Sequence, residues 1–303
     1  MTVAAPSRRH ASVRELVVAS RPLSWINTAF PFAAALLLSS RHVGALLVVG
    51  TVFFLVPYNL LMYGVNDVFD HESDARNPRK GGAEGALLAA PALRSLLRWS
   101  VGLAVPFAVA VPVLAGIEEP GRGGWTALAL AVVLFAVVAY SAPGLRFKER
   151  PVLDSATSST HFVGPAVVGL VAGGAEPTRT VLAVVVAFFC WGMAAQAFGA
   201  VQDVGPDRAA GIASVATVLG ARRTVRAAIA VWVVAGLVVL LAGLPAAAAA
   251  VLVVPYVVAA WPYRDVADAD AALAHRGWQA FLRLNYACGF VVFWLCWWAW
   301  THP

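Results

Sequence analysis

The chain has 303 residues, of which 60% are hydrophobic and only 13% charged, with a mean hydropathy of +0.76. Soluble domains carry about 25% charged residues, so the composition excludes a water-soluble globular protein and, by its apolar content, a disordered chain. The net charge of +6 is therefore weighed against membrane orientation before any nucleic-acid role.

A hydrocarbon core about 30 Å thick needs roughly 20 apolar residues per helix. Nine such spans are predicted, near 23–40, 45–65, 92–115, 124–142, 153–173, 179–201, 224–242, 246–263 and 279–300. None alternates polar and apolar residues as a β-barrel strand does, and their Ala, Leu and Val content favours helices. The expected fold is thus an all-α integral membrane bundle. Met1–Arg14 is polar and basic with no cleavable apolar region, and residues 1–22 read as a cytoplasmic tail. Residues 23–303 read as one transmembrane domain of two four-helix halves plus a ninth helix. Cys190, Cys288 and Cys296 all lie in apolar runs and form neither a disulfide framework nor a spaced metal motif.

Lysine and arginine set the orientation. With the N-terminus inside, nineteen of the 22 basic residues fall on the inner side, and only Arg41, Arg122 and Arg179 lie outside. This split predicts an N-in, C-out chain in the cell membrane and makes a nucleic-acid partner unnecessary. Acidic residues obey no such rule. Even so, thirteen of sixteen lie on the inner side, and five of these form two clusters.

The first cluster follows the second span: Asn66, Asp67, Asp70 and Asp74. If the helix continues, the three aspartates sit at i, i+3 and i+7 on one face, which Asn59, Tyr63 and Asn66 extend upward. Carboxylates so aligned repel one another and need a cation. Mg²⁺ characteristically takes one or two carboxylates together with substrate phosphates. The second cluster, after the sixth span, is Asp203 and Asp207, with Gln196 on a similar face. Two clusters at one depth, four helices apart, suggest a duplicated four-helix unit. Between them runs Tyr140-Ser-Ala-Pro-Gly-Leu-Arg146-Phe-Lys148-Glu-Arg150, and both lysines of the chain, Lys80 and Lys148, adjoin these motifs. Arg146, Lys148 and Arg150 can present cations to phosphate oxygens, although positive-inside topology alone also places basic residues there.

Together these features suggest metal ions bridging a diphosphate between the aspartates while Arg and Lys neutralise its remaining charge. Ionisation of an allylic C–O bond would then leave a carbocation sheltered by an apolar, aromatic interior. Asn66-Asp67-x-x-Asp70-x-x-x-Asp74, Asp203-x-x-x-Asp207-x-x-x-Gly211 and Tyr140…Arg146-x-Lys148 resemble the motifs of the UbiA superfamily of membrane prenyltransferases, and the span count agrees along nearly the whole chain. Arg21-Pro-Leu-Ser-Trp-Ile-Asn27, Val56-Pro-Tyr-Asn59, Asn77-Pro-Arg-Lys-Gly-Gly82 and Ser158-Ser-Thr-His161-Phe resemble its lycopene elongase branch.

The resemblance implies a helical bundle around a central cavity that transfers dimethylallyl groups, in a Mg²⁺-dependent reaction, from their diphosphate to the ends of lycopene. It implies Asp67, Asp70, Asp203 and Tyr140 as catalytic residues. It assigns the metal to Asp67, Asp70, Asp74, Asp203 and Asp207, and the diphosphate to Asn66, Arg76, Lys80, Arg146 and Lys148. It also allows for a partner subunit or a carotenoid cyclase. An aromatic quinone precursor or a polyprenyl phosphate is the alternative acceptor. One departure is Pro206 inside the second motif, because proline disfavours a helical residue before it.

Other polar residues admit two readings. Asp154, Ser158 and His161 share a face at the start of the fifth span. His161 can relay a proton or hydrogen-bond a neighbouring helix. Asn59, Tyr63, Asp154, His161 and Gln196 read as lining an acceptor cavity, and Asn27 and Asn285 either line it or join helices. His71 reads as a surface histidine, Trp294, Trp297, Trp298 and Trp300 as an interfacial belt, and Gly81, Gly82 and Gly85 as a turn over the active-site mouth. A transporter would instead place ionisable residues near the bilayer midplane with inverted repeats; here the charges gather at one face.

Overall fold

The computed structural model describes residues 10–71 and 88–302, and among these there are helices, turns and connecting segments but no strand. The chain begins with α1 (Val13–Ala19), capped by reciprocal bonds between Ser12 and Glu15. Arg21 follows in a left-handed conformation (φ 50°), and a tight turn over Pro22–Ser24 leads into α2 (Ile26–Ser40). The predicted second span is two helices, α3 (Ala45–Leu55) and α4 (Pro57–Phe69). The break falls at Val56 because Pro57 has no N–H and disfavours a helical residue before it. α5 (Ala90–Glu118) and α6 (Arg122–Ser141) form a hairpin, and α7 (Leu153–Ala172) and α8 (Arg179–Val201) follow. Two short helices, α9 (Val204–Ala209) and α10 (Val215–Leu219), precede α11 (Ala221–Leu240). The predicted span 246–263 is helical in three pieces, with α12 (Val253–Ala260) between 3₁₀ turns at Ala246–Leu252 and Trp261–Tyr263. Pro255 lies in the first turn of α12, where its missing N–H leaves no intrahelical bond unmade. α13 (His275–Thr301) closes the described chain.

Eight described helical stretches are long and apolar enough to cross a membrane, where nine were expected. The segment predicted at 153–173 is helical over Leu153–Ala172 but carries Asp154, Ser155, Thr157, Ser158, Ser159, Thr160 and His161. Eleven of its twenty residues are buried, because α7 packs against α2, α6 and α8 at once. Its polar groups face protein and not lipid, so its composition falls short of a span's.

The outer helices show the opposite pattern. On α5, Val101, Val105, Val109 and Val113 recur every four residues and are exposed, while Ala104, Val111 and Ala115 on the other side are buried. That stripe faces the bilayer, where apolar surface needs no cover. Two apolar clusters fill the interior. One centres on Phe32, Phe53, Phe54 and Tyr58, and the other on Phe198, Trp232, Tyr256 and Phe281.

One end of the bundle is tied by polar contacts. Glu118 accepts from the Leu46 N–H (2.8 Å), and Arg41 donates to the carbonyls of Ala299 (3.0 Å) and Trp300 (2.5 Å) at the end of α13. At the other end Asp268 accepts from Ala221 N–H (2.7 Å) at the start of α11 and from Arg208 (2.6 Å). These two donors, the backbone N–H foremost, hold its carboxyl below the usual range.

Two predictions follow from this packing. A Cβ on Gly169 would lie 2.5 Å from the Phe32 carbonyl oxygen on α2, and backbone cannot yield as a side chain can. Gly169→Val should therefore destabilise the bundle by about 1–3 kcal/mol, read as a lower melting temperature in detergent. Asp268, with its depressed pKa, stabilises the fold above the ordinary carboxylate pKa and loses that contribution as pH falls through the lower, folded-state value. Asp268→Asn should melt earlier than the parent at pH 7, and the gap should close below about pH 4; a gap independent of pH would contradict this.

Candidate active site

The polar end of α4 is built from the inside outward. Asn59 is fully buried beside the α3–α4 break, where its amide donates to Thr28 Oγ1 (2.7 Å) and to the carbonyls of Phe54 (2.8 Å) and Leu55 (3.1 Å). It joins helices. One turn on, the ring of Tyr63 carries the Arg21 guanidinium at 4.1 Å. A further turn brings Asp67 and Asp70, only 3% and 4% exposed. Carboxylates so buried need paired cations. Arg21 supplies one, 2.8 Å from Asp67, and Lys148 pairs with Asp70, with Arg146 3.9 Å from the same oxygen. α4 ends at Phe69 and Asp70 is its C-terminal cap. Asp74, Arg76, Lys80 and the glycines at 81, 82 and 85 lie outside the described residues. His71 is half-buried at the same end.

Lys148 and Arg146 reach α4 because the loop after α6 folds back beneath it. Arg146 has φ 41°, a left-handed conformation uncommon for a residue with a side chain, and caps the 3₁₀ turn Phe147–Glu149. Glu149 pairs with Arg146; the hydrogen bond holds the Glu149 carboxyl below its usual range and the Arg146 guanidinium above its own.

The second aspartate pair stands opposite. α8 stops at Val201 and the chain restarts as α9 at Val204, with Asp203 at the junction. The Asp207 N–H bonds the Asp203 carbonyl at 2.9 Å, so the one-turn spacing of the two side chains survives Pro206. Proline is tolerated there because the first turn of a helix needs no intrahelical N–H partner.

A cavity of about 430 Å³ lies between the two motifs. Asn66, Asp70 and Lys148 line one side, and Asp203 and Asp207 the other. Tyr140, Gln196 and Asp154 also border it. Asp154 accepts from the Ser155 N–H (2.7 Å) and the Val215 N–H (2.8 Å), which fastens the start of α7 to α10. Ser158 donates to Gln196 Oε1 (2.9 Å), and Gln196 Nε2 donates to Tyr140 Oη (3.4 Å). His161 is buried behind Tyr140, the ring centroids 5.2 Å apart edge to face, and its Nε2 has no hydrogen-bond partner among the described residues. Asn27 is half-buried on α2 and does not border the cavity. Two contributors were given no role by the sequence reading. Arg21, present there as an inner-side cation and within a motif of the resemblance, pairs with Asp67 across 46 positions. Trp278, which borders the cavity from α13, had no distinguishing pattern.

Residues 28–285 match the UbiA prenyltransferase family. The C(50) beta-cyclic carotenoids biosynthesis protein LbtBC of Dietzia sp. (strain CQ4) is 54% identical over 90% of this chain, which spans 62% of that protein's length. A lycopene elongase/hydratase of Corynebacterium glutamicum is 44% identical over 92% of this chain and 95% of its own. Among solved structures, a UbiA homolog from Archaeoglobus fulgidus bound to GPP and Mg²⁺ superposes with a TM-score of 0.65. That match has 17% identity and covers 90% of this chain and 99% of the homolog. The same homolog bound to DMAPP and Mg²⁺ gives a TM-score of 0.64 at 18% identity, covering 90% and 98%. The cavity between two aspartate motifs thus sits in a fold shared with solved UbiA proteins and in a sequence close to named carotenoid enzymes: the chain belongs to the UbiA prenyltransferase family.

Proposed function

We propose that this enzyme transfers a dimethylallyl group from its diphosphate to the ends of lycopene, with Mg²⁺ as cofactor, from a site facing the cytoplasm. The observation that carries this reading is the cavity itself, with carboxylates on opposing sides and Lys148 and Arg146 beside one of them. A diphosphate needs both kinds of group: cations for its own oxygens, and carboxylates for the metal ions that bridge to it. The donor set is all oxygen, the kind that hard divalent ions take. Among the described residues no three carboxylate or imidazole groups converge on one point, so an ion held here by Asp70, Asp203 and Asp207 would complete its shell with water and diphosphate oxygens, as Mg²⁺ does. Bound there, the ion would supply Lewis-acid stabilisation of the departing diphosphate.

The chain's own residues supply the rest. Lys148 and Arg146 hold diphosphate oxygens, and Asn66 offers an amide donor beside them. Arg21 pairs with Asp67 and holds it in place. Tyr140 presents its aromatic ring where positive charge develops on the allylic carbon. The terminal alkene of lycopene attacks that carbon, forming a C–C bond and leaving a tertiary cation that either loses a proton or takes up water. Lycopene is favoured as acceptor by the name of the Corynebacterium glutamicum relative, and dimethylallyl diphosphate by the DMAPP-bound neighbour. A cytoplasmic site in the cell membrane is supported by the orientation expected from the sequence, with nineteen of 22 basic residues on the inner side. Residues 23–303 are read as one domain of two four-helix halves and a closing helix, and a partner subunit or carotenoid cyclase fits the exposed apolar flank.

The test is reconstitution with dimethylallyl diphosphate, lycopene and Mg²⁺, read by product mass. A gain of one or two five-carbon units is expected; prenylation of a quinone precursor or polyprenyl phosphate in its place would overturn the acceptor. Asp70→Asn and Asp203→Asn should each lower turnover by about 10²–10³-fold with the helical signal intact. Chelation should abolish turnover and added Mg²⁺ restore it. Activity that survives chelation would refute the metal assignment.

A further inference from the structure

The ceiling of the cavity differs chemically from its mouth. The mouth carries Asp70, Lys148, Asp203 and Asp207, all charged. The ceiling is neutral: the Tyr140 hydroxyl, the Gln196 amide and the Ser158 hydroxyl, bonded in series across α6, α8 and α7. The nearest carboxylate on α7, Asp154, is one turn away and engaged with two backbone N–H groups. Asp154 also borders the cavity, but its two oxygens already accept those bonds.

The series also has unused hydrogen-bonding capacity. A primary amide has two N–H donors and two acceptor lone pairs, and a hydroxyl has one donor and two lone pairs. Among the described residues Gln196 uses one N–H and one lone pair, Ser158 uses its proton, and Tyr140 accepts one bond at a long 3.4 Å. One amide N–H, one amide lone pair, the Ser158 lone pairs and the Tyr140 proton remain. Tyr140 and Gln196 both border the cavity. A polar recess with two to four such partners is what a buried water requires.

We infer that Gln196, Ser158 and Tyr140 hold the water molecule that ends the reaction, making this ceiling the hydration site. This rests on the prenyl transfer to lycopene proposed above. The water oxygen adds to the tertiary cation, forming a C–O bond. The resulting oxonium gives its proton to the diphosphate released in the first step, and a tertiary alcohol remains. One water is consumed per unit added, and no oxidant or reductant is needed. Gln196 and Ser158 act here as positioning residues, through the water and not on carbon.

The experiment uses the full-length protein with dimethylallyl diphosphate, lycopene and Mg²⁺ in ¹⁸O-water, reading the ratio of labelled alcohol to alkene by mass. The parent should give labelled alcohol. Gln196→Leu and Ser158→Ala should each lower the alcohol-to-alkene ratio about tenfold, the scale expected when a positioning contact is lost. Ser158→Thr, which keeps a hydroxyl, should retain the ratio. A merely structural role would lower both products together and leave the ratio unmoved, and that result overturns the inference. Prenylated product without ¹⁸O in the parent overturns it too, while leaving the transfer reading intact. Unreacted lycopene would overturn both.

Discussion

Two carboxylates held one turn apart inside the end of an apolar bundle are the constraint around which this structure is arranged. Asp67 and Asp70 are nearly inaccessible, and removing one partner from such a buried pair typically costs about 3–5 kcal/mol. Cations are brought to them from distant parts of the chain. The segment before α2 turns through a left-handed residue so that Arg21 lies between Tyr63 and Asp67. The loop after α6 turns through another at Arg146, bringing Lys148 beneath α4. Backbone in this region is disfavoured for residues with side chains and persists where the surroundings demand it. Both cationic arms of the first motif thus depend on such a turn.

Around the cavity, charged groups stand beside neutral polar ones. The ionic rim matches a multiply charged leaving group. The amide and hydroxyls of the ceiling match a species that must meet no strong nucleophile other than the intended one. Away from the cavity, Phe53, Phe54 and Tyr58 in one core, and Trp191, Trp232, Tyr256 and Phe281 in the other, form edge-on and stacked contacts 4.8–6.0 Å apart.

Much of this was legible in the residues. Apolar run length located the membrane helices, and the paired aspartates with Lys148 located the cavity. Pro57 carried the signal for the break in the second span, which span-length reasoning passed over because hydropathy does not register a missing N–H; the prolines inside α2, α5 and α7 leave those helices unbroken. What the sequence could not display is pairing at a distance. Arg21 counted as one more inner-side cation until the fold laid it on Asp67. Asp154 read as a cavity-lining group and does border the cavity, but its bond from the Val215 N–H on α10 had no sign in the sequence. Asn59 sat on the same face as the acidic motif, yet the break at Val56 freed carbonyls for its amide to cap, and it ties helices together.

The polarity of α7 bears on how the protein enters its membrane. A helix carrying an aspartate, a histidine and a run of Ser and Thr gains little on leaving water for lipid by itself, since an aspartate alone weighs about 2.5–3.5 kcal/mol against insertion at a helix centre. It becomes favourable only when α6 and α8 offer hydrogen-bond partners and α2 covers its small-residue face. The fourth through sixth predicted spans therefore form one insertion unit. The residues that furnish the ceiling of the cavity are the same ones that make assembly of the bundle cooperative.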